Sequence, residues 1–333
     1  MRFLVTGAAG FIGSNLSSRL SDTGNTVLGI DNLSPYYSPT LKELRVEKLL
    51  RPSHVEFEHF DLLDLIKFRK IAQSFSPDAI VHLAAQPGVR TPLAKSYEYI
   101  ANNLTAYSNV LQTAVELQIP DFLYASSSSV YGNSSNIPYK ESDTSIRPIS
   151  VYGATKLANE ILAPTYITGS KTRARGMRFF TAYGPWGRPD MAYLRIIDSI
   201  LNGSEFSKFG DGKVKRDFTY VDDITSMIEL LSTELRSHPV GYSDVVNIGG
   251  GSPHSLNDLI SVIGEILGGI PKVTEKEKNP NDTRLTCSDT SILQELTGNS
   301  TKVDLFSGVS KTIEWAKRPA ISRLLTSWVN STN

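Results

Sequence analysis

The sequence has little cysteine, little net charge and no long apolar run, and each shortage excludes a class of protein. A single cysteine, Cys287, among 333 residues excludes an internal disulfide and leaves a zinc-finger site without ligands, so no metal is expected. The 34 basic residues balance the 34 acidic ones, so no overall field would attract nucleic acid or an anionic membrane. No apolar run reaches the roughly 18 residues of a membrane span, and the N-terminus begins with a strand rather than a signal peptide. We expect a globular cytoplasmic protein without nucleic-acid or membrane partners.

The first half of the chain alternates short β-rich runs with longer helical stretches. Near-continuous apolar strands separated by helices are typical of a parallel sheet covered on both faces, and right-handed crossovers make such a sheet doubly wound. We therefore predict an α/β fold, a Rossmann-type doubly wound parallel sheet with a smaller C-terminal lobe. The predicted strands are the runs RFLVTG, NTVLGID, HVEFEHFD, DAIVHLAA, DFLYASS and RARGMRFF.

A glycine-rich stretch, VTGAAGFIGSN at residues 5–15, joins the first predicted strand to the first helix. Gly7 permits a tight turn, Gly10 lets the backbone approach a pyrophosphate, and Gly13 allows close helix packing. The N–H groups at the helix start attract phosphate charge. Asp31 ends the second strand, where a carboxylate can accept both ribose hydroxyls and would repel a 2′-phosphate. The pattern therefore predicts NAD as the cofactor rather than NADP.

The regular alternation of strands and helices stops near residue 181. From there on, loops that carry glycine and proline separate short helices. We assign residues 1–180 to an NAD-binding domain, with returning segments from about residue 215 to 250, and residues 181–333 mainly to a lobe that binds the substrate. Ligands of doubly wound sheets bind at the carboxyl ends of the strands, so we expect the lobe to cover those ends.

A tyrosine and a lysine in the segment YGATK indicate the chemistry. Tyr152 and Lys156 are four residues apart on a predicted helix, so their side chains lie on the same face. An ammonium group beside a phenol stabilises the phenolate and lowers its pKa from near 10. Of the 14 tyrosines, only Tyr152 has a lysine four residues later. Tyr152 is therefore a candidate proton acceptor, and Ser127, Ser128 and Ser129, at the end of the fifth strand, are candidate hydroxyl donors.

Taken together, these motifs resemble the extended short-chain dehydrogenase/reductase family, in its nucleotide-sugar epimerase branch. The matching segments include TGAAGFIG, HLAAQPGVR, SSSSVYG, YGATK and RFFTAYGPWGRPDMA, and they span nearly the whole chain. The segments GPWGRPDMA and RDFTYVDD are most similar to the UDP-glucuronate 4-epimerase subgroup. The resemblance implies that Ser127 binds the 4-hydroxyl of the sugar, Tyr152 removes its proton, and Lys156 holds the nicotinamide ribose. It also implies that NAD takes a hydride from carbon 4 and returns it to the other face of a 4-keto sugar.

Further cofactor contacts are expected from the glycine loop, the strand ends and the helices beside them. These predicted residues are Phe11, Ile12, Asn32, Asp61, Leu62, Leu83, Ala84, Ala85, Asn103, Ser126 and Tyr183.

The carboxylate of a UDP-glucuronate substrate needs a cationic partner in a protein without net charge. Arg188 is suited to it, because a guanidinium can bind a carboxylate through two parallel hydrogen bonds. Thr181, Ser128 and Ser129 could complete the site. By resemblance, Arg216 binds the UDP diphosphate, Asp282 and Thr286 belong to a nucleotide-contacting stretch, and Arg90 approaches the phosphates or the sugar acid.

Other reactions begin from the same ketone, and the serines argue against two of them. Family dehydratases carry Asp-Glu where this chain has Ser128 and Ser129, and decarboxylases carry glutamate at the position of Ser129. The alternatives that stay open are a neutral UDP-hexose 4-epimerase, a UDP-glucuronate decarboxylase and, from another class, a dinucleotide-sensing protein without activity. The resemblance also implies a homodimer through the helices near residues 96–118 and 150–168. We expect the insert after Asp31, with Tyr36 and Tyr37, to be a packed loop rather than a cover over the adenine.

Overall fold

The computed structural model describes residues 1–89, 93–277 and 285–330. Its strands are β1 (Arg2–Thr6), β2 (Thr26–Asp31), β3 (Glu56–His59), β4 (Ala79–His82), β5 (Asp121–Ser127), β6 (Arg173–Phe179), β7 (Thr181–Tyr183), β8 (Glu205–Phe209), β9 (Lys215–Tyr220), β10 (Ser243–Ile248), β11 (Pro253–Ser255) and β12 (Lys272–Lys276). Its α-helices are α1 (Phe11–Asp22), α2 (Pro39–Arg45), α3 (Leu65–Phe75), α4 (Ser96–Tyr99), α5 (Ala106–Glu116), α6 (Val151–Ile167), α7 (Ala192–Asn202), α8 (Val221–Glu234), α9 (Leu256–Leu267), α10 (Ser291–Thr297), α11 (Leu305–Ala316) and α12 (Pro319–Asn330). One-turn π segments at Val46–Leu50 and Ile100–Thr105 continue α2 and join α4 to α5.

Seven parallel strands form the central sheet, in the order β10–β6–β5–β4–β1–β2–β3. The order reverses between β1 and β4, which is the point where ligands of such sheets bind. The predicted α/β fold class is confirmed. Six strands correspond to the predicted runs, and the seventh, β10, returns from the second half of the chain to pair with β6.

The core follows the two-residue period of the strands. Phe3 and Val5 of β1 face the side of the sheet that α1 and α8 cover, whereas Leu4 faces the side of α3, α5 and α6. Because successive side chains of a strand point to opposite faces, a strand buried on both sides must be apolar throughout. This is why RFLVTG shows no polar alternation.

The second lobe rests on two small sheets. Strand β9 pairs with β7 in parallel and with β11 antiparallel, and β8 pairs with β12 in parallel. Helices α7, α9, α11 and α12 share a core that contains Tyr193, Leu259 and Trp328. Helix α8 packs on α1, and β10 joins the main sheet, so these two elements lie with the first half of the chain. None of the described helices combines the length and apolar character that crossing a bilayer requires.

Candidate active site

A cavity of about 1070 Å³ lies between the carboxyl ends of the main strands and the second lobe. Ligand cavities commonly measure about 300–1,000 Å³, so this one is large enough for more than one small molecule. Most of the predicted site residues line it. Those on the cofactor side are Gly7, Gly10, Phe11, Ile12, Gly13, Asp31, Asn32, Asp61, Leu62, Leu83, Ala84, Ala85, Ser126, Tyr152 and Lys156, and those on the substrate side are Ser127, Ser128, Ser129, Thr181, Arg188, Arg216 and Thr286. Arg90 and Asp282 lie outside the described residues.

The glycine loop is pressed against the end of β4. Gly7 has φ +72°, and a Cβ atom there would lie 2.7 Å from the amide nitrogen of Ala84. A Cβ atom on Gly13 would lie only 2.1 Å from the carbonyl oxygen of Gly7. The loop therefore needs glycine at both positions. It presents backbone and the start of α1 to the cavity, which suits the pyrophosphate of a dinucleotide.

Asp31 closes the same end of the cavity. Its carboxylate accepts hydrogen bonds from the backbone N–H groups of Ala9 (3.1 Å) and Leu33 (2.8 Å). These bonds tie the end of β2 to the glycine loop. Asn32 donates to the Asp61 carboxylate at 2.9 Å and so joins the ends of β2 and β3. This arrangement fits the adenosine of NAD, because the carboxylate is fixed at the strand end where the ribose hydroxyls of a dinucleotide lie.

Two predicted cofactor residues, Asn103 and Tyr183, do not line the cavity, and their contact with the cofactor stays a prediction. The Asn103 amide accepts from the N–H of Gln86 (2.7 Å) and donates to its carbonyl (3.1 Å) and to the Thr155 hydroxyl (3.1 Å), so it fixes the loop after β4 to α6. Tyr183 is buried in the lobe, where its hydroxyl donates to the carbonyl of Asp304 at 3.2 Å.

The predicted catalytic residues meet at the carboxyl end of β5. Helix α6 starts there because Ser150 caps it, accepting from the Gly153 N–H at 3.0 Å. The Nζ of Lys156 donates to the carbonyl of Ala125 in β5 at 2.8 Å. The same atom lies 5.8 Å from the centre of the Tyr152 ring. The hydroxyl of Ser127 accepts from the Ser129 N–H at 3.1 Å.

The electrostatics of this cluster differ from the prediction. Burial lowers the pKa of Lys156 from 10.5 to about 7. Burial also raises the pKa of Tyr152, and the groups that act to lower it are the Arg188 guanidinium and a hydrogen bond with Ser127. Lys156 is not among the groups that shift the pKa of Tyr152 in this structure.

Arg188 already has a carboxylate partner. Its Nε donates to Asp190 Oδ1 at 3.0 Å and its Nη2 donates to Oδ2 at 2.5 Å. Both side chains are about one-quarter exposed, and both residues line the cavity. The predicted hydrogen bonds to a sugar carboxylate must therefore come from the donors that Asp190 leaves available.

The insert after Asp31 also contributes to the wall of the cavity. Tyr36 and Tyr37 line it, and the Tyr36 ring centre lies 5.8 Å from the Arg188 guanidinium carbon. The Tyr37 hydroxyl accepts from Arg45 at 2.6 Å. The insert is packed, as expected, but Tyr36 also borders the sugar end of the site, which the sequence interpretation did not include.

The cavity is also lined by cations that the sequence analysis did not single out. Arg195 on α7 and Lys276 on β12 line the cavity together with the predicted Arg216 on β9. Lys42 on α2 lines it near Asp31, and burial lowers its pKa. A lysine or arginine is usually solvated, so nothing in the local sequence distinguishes these residues from surface charges.

Known proteins resemble the whole chain. The NAD dependent epimerase/dehydratase family model matches residues 3–249. A probable UDP-glucuronate 4-epimerase of Rhizobium meliloti is 36% identical over 329 residues, which cover 95% of this chain and 96% of the relative. The solved structure of a UDP-glucuronic acid 4-epimerase from Bacillus cereus, in complex with UDP-glucuronic acid and NAD, has a TM-score of 0.86 at 34% identity and covers 97% of this chain and 100% of that one. A UDP-glucose-4-epimerase from Stenotrophomonas maltophila, with NAD and formylated UDP-arabinopyranose, has a TM-score of 0.87 at 26% identity, covering 97% and 99%.

Proposed function

The chain belongs to the NAD dependent epimerase/dehydratase family, and from that premise we infer that it interconverts UDP-glucuronate and UDP-galacturonate by inverting carbon 4 of the sugar. Relatives named for this activity align over almost the full length of the chain. The UDP-glucose-4-epimerase has a similar fold, but its sequence identity is lower. The enzyme is thus an NAD-dependent isomerase whose substrate is an acid nucleotide sugar.

The observation that carries this function is the composition of one cavity. Tyr152 and Lys156 line it together with the glycine loop on one side and with Arg188 and the hydroxyls of Ser128 and Thr181 on the other. A proton acceptor that lies between a dinucleotide site and a carboxylate site is what oxidation at carbon 4 of a uronic acid requires.

Each catalytic residue has a role that follows from its surroundings. When NAD is bound by the glycine loop and Asp31, it supplies a reversible acceptor for the hydride of carbon 4. Tyr152 takes the proton of the 4-hydroxyl as that oxygen becomes a carbonyl, and it returns the proton when the alcohol is restored on the opposite face. Ser127 binds the same oxygen, and its hydroxyl stabilises the phenolate form of Tyr152. Lys156 would hold the nicotinamide ribose of the bound cofactor, as the family resemblance implies.

The acid sugar must be kept from losing carbon dioxide, because a 4-keto uronic acid is a β-keto acid. Serine hydroxyls at positions 128 and 129, with Thr181 and Arg188, stabilise the carboxylate as an anion, so that its charge does not pass into the ring. No carboxylate side chain stands at position 128 or 129 to assist an elimination or a decarboxylation. Epimerisation is therefore the reaction that this set of side chains favours.

The direct test is a product assay by NMR. The purified protein, with no NAD added, is incubated separately with UDP-glucuronate, UDP-glucose and UDP-xylose. We expect UDP-galacturonate from the first and little turnover of the other two. A UDP-pentose from UDP-glucuronate would identify a decarboxylase, and conversion of UDP-glucose alone would identify a neutral-sugar epimerase. No turnover of any of them would leave the dinucleotide-sensing alternative.

We also propose that the enzyme is a homodimer. Ile161 on α6 is 61% exposed, Tyr97 on α4 is 67% exposed and Ile100 beside it is 47% exposed. Helices α4 and α6 pack against each other, so this apolar surface suits the same surface of a second copy. Light scattering should give a dimer that Ile161→Glu converts to a monomer, and a wild-type monomer would contradict the proposal. A location in the cytoplasm stays a prediction, supported by the single cysteine.

A further inference from the structure

The backbone that carries Arg188 is fixed from both sides. The fully buried Arg45 donates to the carbonyl of Trp186 from Nε (3.0 Å) and Nη2 (2.6 Å) and to the carbonyl of Gly187 from Nη2 (3.0 Å). After Arg188, the N–H of Met191 closes a turn onto the Arg188 carbonyl at 3.1 Å. The chain then enters α7. What this leaves free is the side chain of Arg188, which has several rotatable bonds.

The Arg188 side chain is oriented by Asp190. A guanidinium has five N–H donors in a fixed plane. Asp190 accepts two of them, from Nε and Nη2, so three remain. Nη1 has no hydrogen bond to any residue within 1–89, 93–277 or 285–330. The edge formed by Nη1 and Nη2 is therefore still available for a second carboxylate in the bidentate geometry.

Asp190 is itself held in place. It lies two residues before the first residue of α7, near the positive end of the helix dipole, which favours a carboxylate. Burial acts to raise the pKa of Asp190, but the Arg188 guanidinium, with Arg195 in the same direction, lowers it below its usual range, so the carboxylate stays charged. The Tyr36 ring also lies beside Arg188, with its centre 5.8 Å from the guanidinium carbon.

We propose that Asp190 is a positioning residue for acid-sugar recognition, which holds the Arg188 guanidinium by one edge so that the other edge meets the carboxylate of the substrate. The proposal rests on the proposed function, since only an acid sugar brings the second carboxylate. Neutral sugars make no use of that edge, so Asp190 contributes to specificity without touching the reacting atoms. The charge of Asp190 also repels the substrate carboxylate, so the binding measurement decides whether orientation of the guanidinium outweighs this repulsion.

The test measures binding without turnover. The NAD-loaded Tyr152→Phe protein is titrated by calorimetry with UDP-glucuronate, UDP-glucose and UDP, with and without Asp190→Ala. We expect Asp190→Ala to weaken the binding of UDP-glucuronate about tenfold, which corresponds to one lost charged hydrogen bond. The affinities for UDP-glucose and UDP should change by less than about twofold. Asp190→Asn keeps one acceptor, so its affinity for UDP-glucuronate should lie between those of Asp190→Ala and the parent protein. Glu295→Ala, an exposed acid far along the chain, is the matched control.

Two results would overturn the proposal. Unchanged or tighter binding of UDP-glucuronate to Asp190→Ala would mean that Asp190 competes with the substrate or does nothing. An equal loss of affinity for all three ligands would mean that Asp190 only supports the local fold. Neither result depends on whether the enzyme with Tyr152 intact epimerises UDP-glucuronate, so failure of this proposal is distinguishable from failure of the proposed function.

Discussion

The two ends of the cavity have walls of different composition. At the glycine-loop end the wall is largely backbone and small side chains in close contact, and a Cβ atom on Gly7 or Gly13 would overlap neighbouring backbone. At the lobe end the wall carries the cations Arg188, Arg195, Arg216 and Lys276. The first end is suited to bind its ligand by shape and N–H dipoles, and the second by side-chain charge. Substitutions should therefore have steric effects at one end and graded, salt-dependent effects at the other.

One buried residue connects the two ends. Arg45 donates to the carbonyl of Ala9 in the glycine loop at 3.0 Å and, through its other nitrogens, to the carbonyls of Trp186 and Gly187 just before Arg188. A fully buried guanidinium with only neutral acceptors is costly unless each donor is satisfied. Its hydrogen bonds tie the glycine loop to the segment just before Arg188. The two ends are therefore walls of one connected site.

The largest effect is expected where the two ends meet. Tyr152→Phe removes the proton acceptor while keeping the ring, so kcat should fall about a thousandfold with NAD content and UDP affinity unchanged. Turnover of UDP-glucuronate followed by NMR measures the first quantity, and calorimetry measures the last. Tyr166→Phe, on the same helix but away from the cavity, should be fully active. A Tyr152→Phe enzyme with near-normal kcat would show that another group takes the proton.

At the glycine-loop end, Gly13→Ala tests recognition by shape. The added Cβ meets the Gly7 carbonyl oxygen at 2.1 Å, so the turn must open and the amides that face the pyrophosphate move. Overpacking of this kind costs about 2 kcal/mol, or about thirtyfold in NAD affinity. The NAD released on denaturation of the purified protein is the readout. Asn15→Ala on the same helix should retain NAD, and equal NAD content in both variants would contradict a shape-built site.

At the lobe end, Arg216→Ala tests recognition by charge. Removing one cation from the UDP diphosphate site should weaken the binding of UDP about tenfold, since a hydrogen bond to a charged group contributes about 1.5 kcal/mol or more. Because Arg216 is partly exposed, the difference should shrink as salt rises. Lys213→Ala, on an exposed turn beside β9, is the control. Loss of NAD rather than UDP in Arg216→Ala would remove the distinction between the ends.

The same contrast explains how much the sequence could predict. The glycine loop, Asp31 and the Tyr152–Lys156 pair are short motifs at strand ends, so local spacing is enough to identify them. Lys276 joins the site only through tertiary packing, and charged residues in loops and edge strands look the same whether they face water or a ligand. Asp190 lies within the segment GPWGRPDMA, but the sequence does not show that its carboxylate binds Arg188. Asn103 is a different case, because its amide is hydrogen-bonded within the fold and its contact with the cofactor stays a prediction.

The last prediction concerns the charge of Lys156 in the protein freed of nucleotide. Its pKa is about 7 in the folded state and 10.5 ordinarily, so above about pH 7 the unfolded chain keeps a proton that the folded protein has lost. The free energy of unfolding should therefore rise with pH, by up to about 2 kcal/mol between about pH 7 and about pH 9. Urea titrations of Lys156→Met should lack this slope, whereas Lys171→Met, which removes an exposed lysine, should keep it. Equal slopes in all three proteins would mean that Lys156 is charged even without a ligand, and the lysine would then belong with the cations of the lobe end.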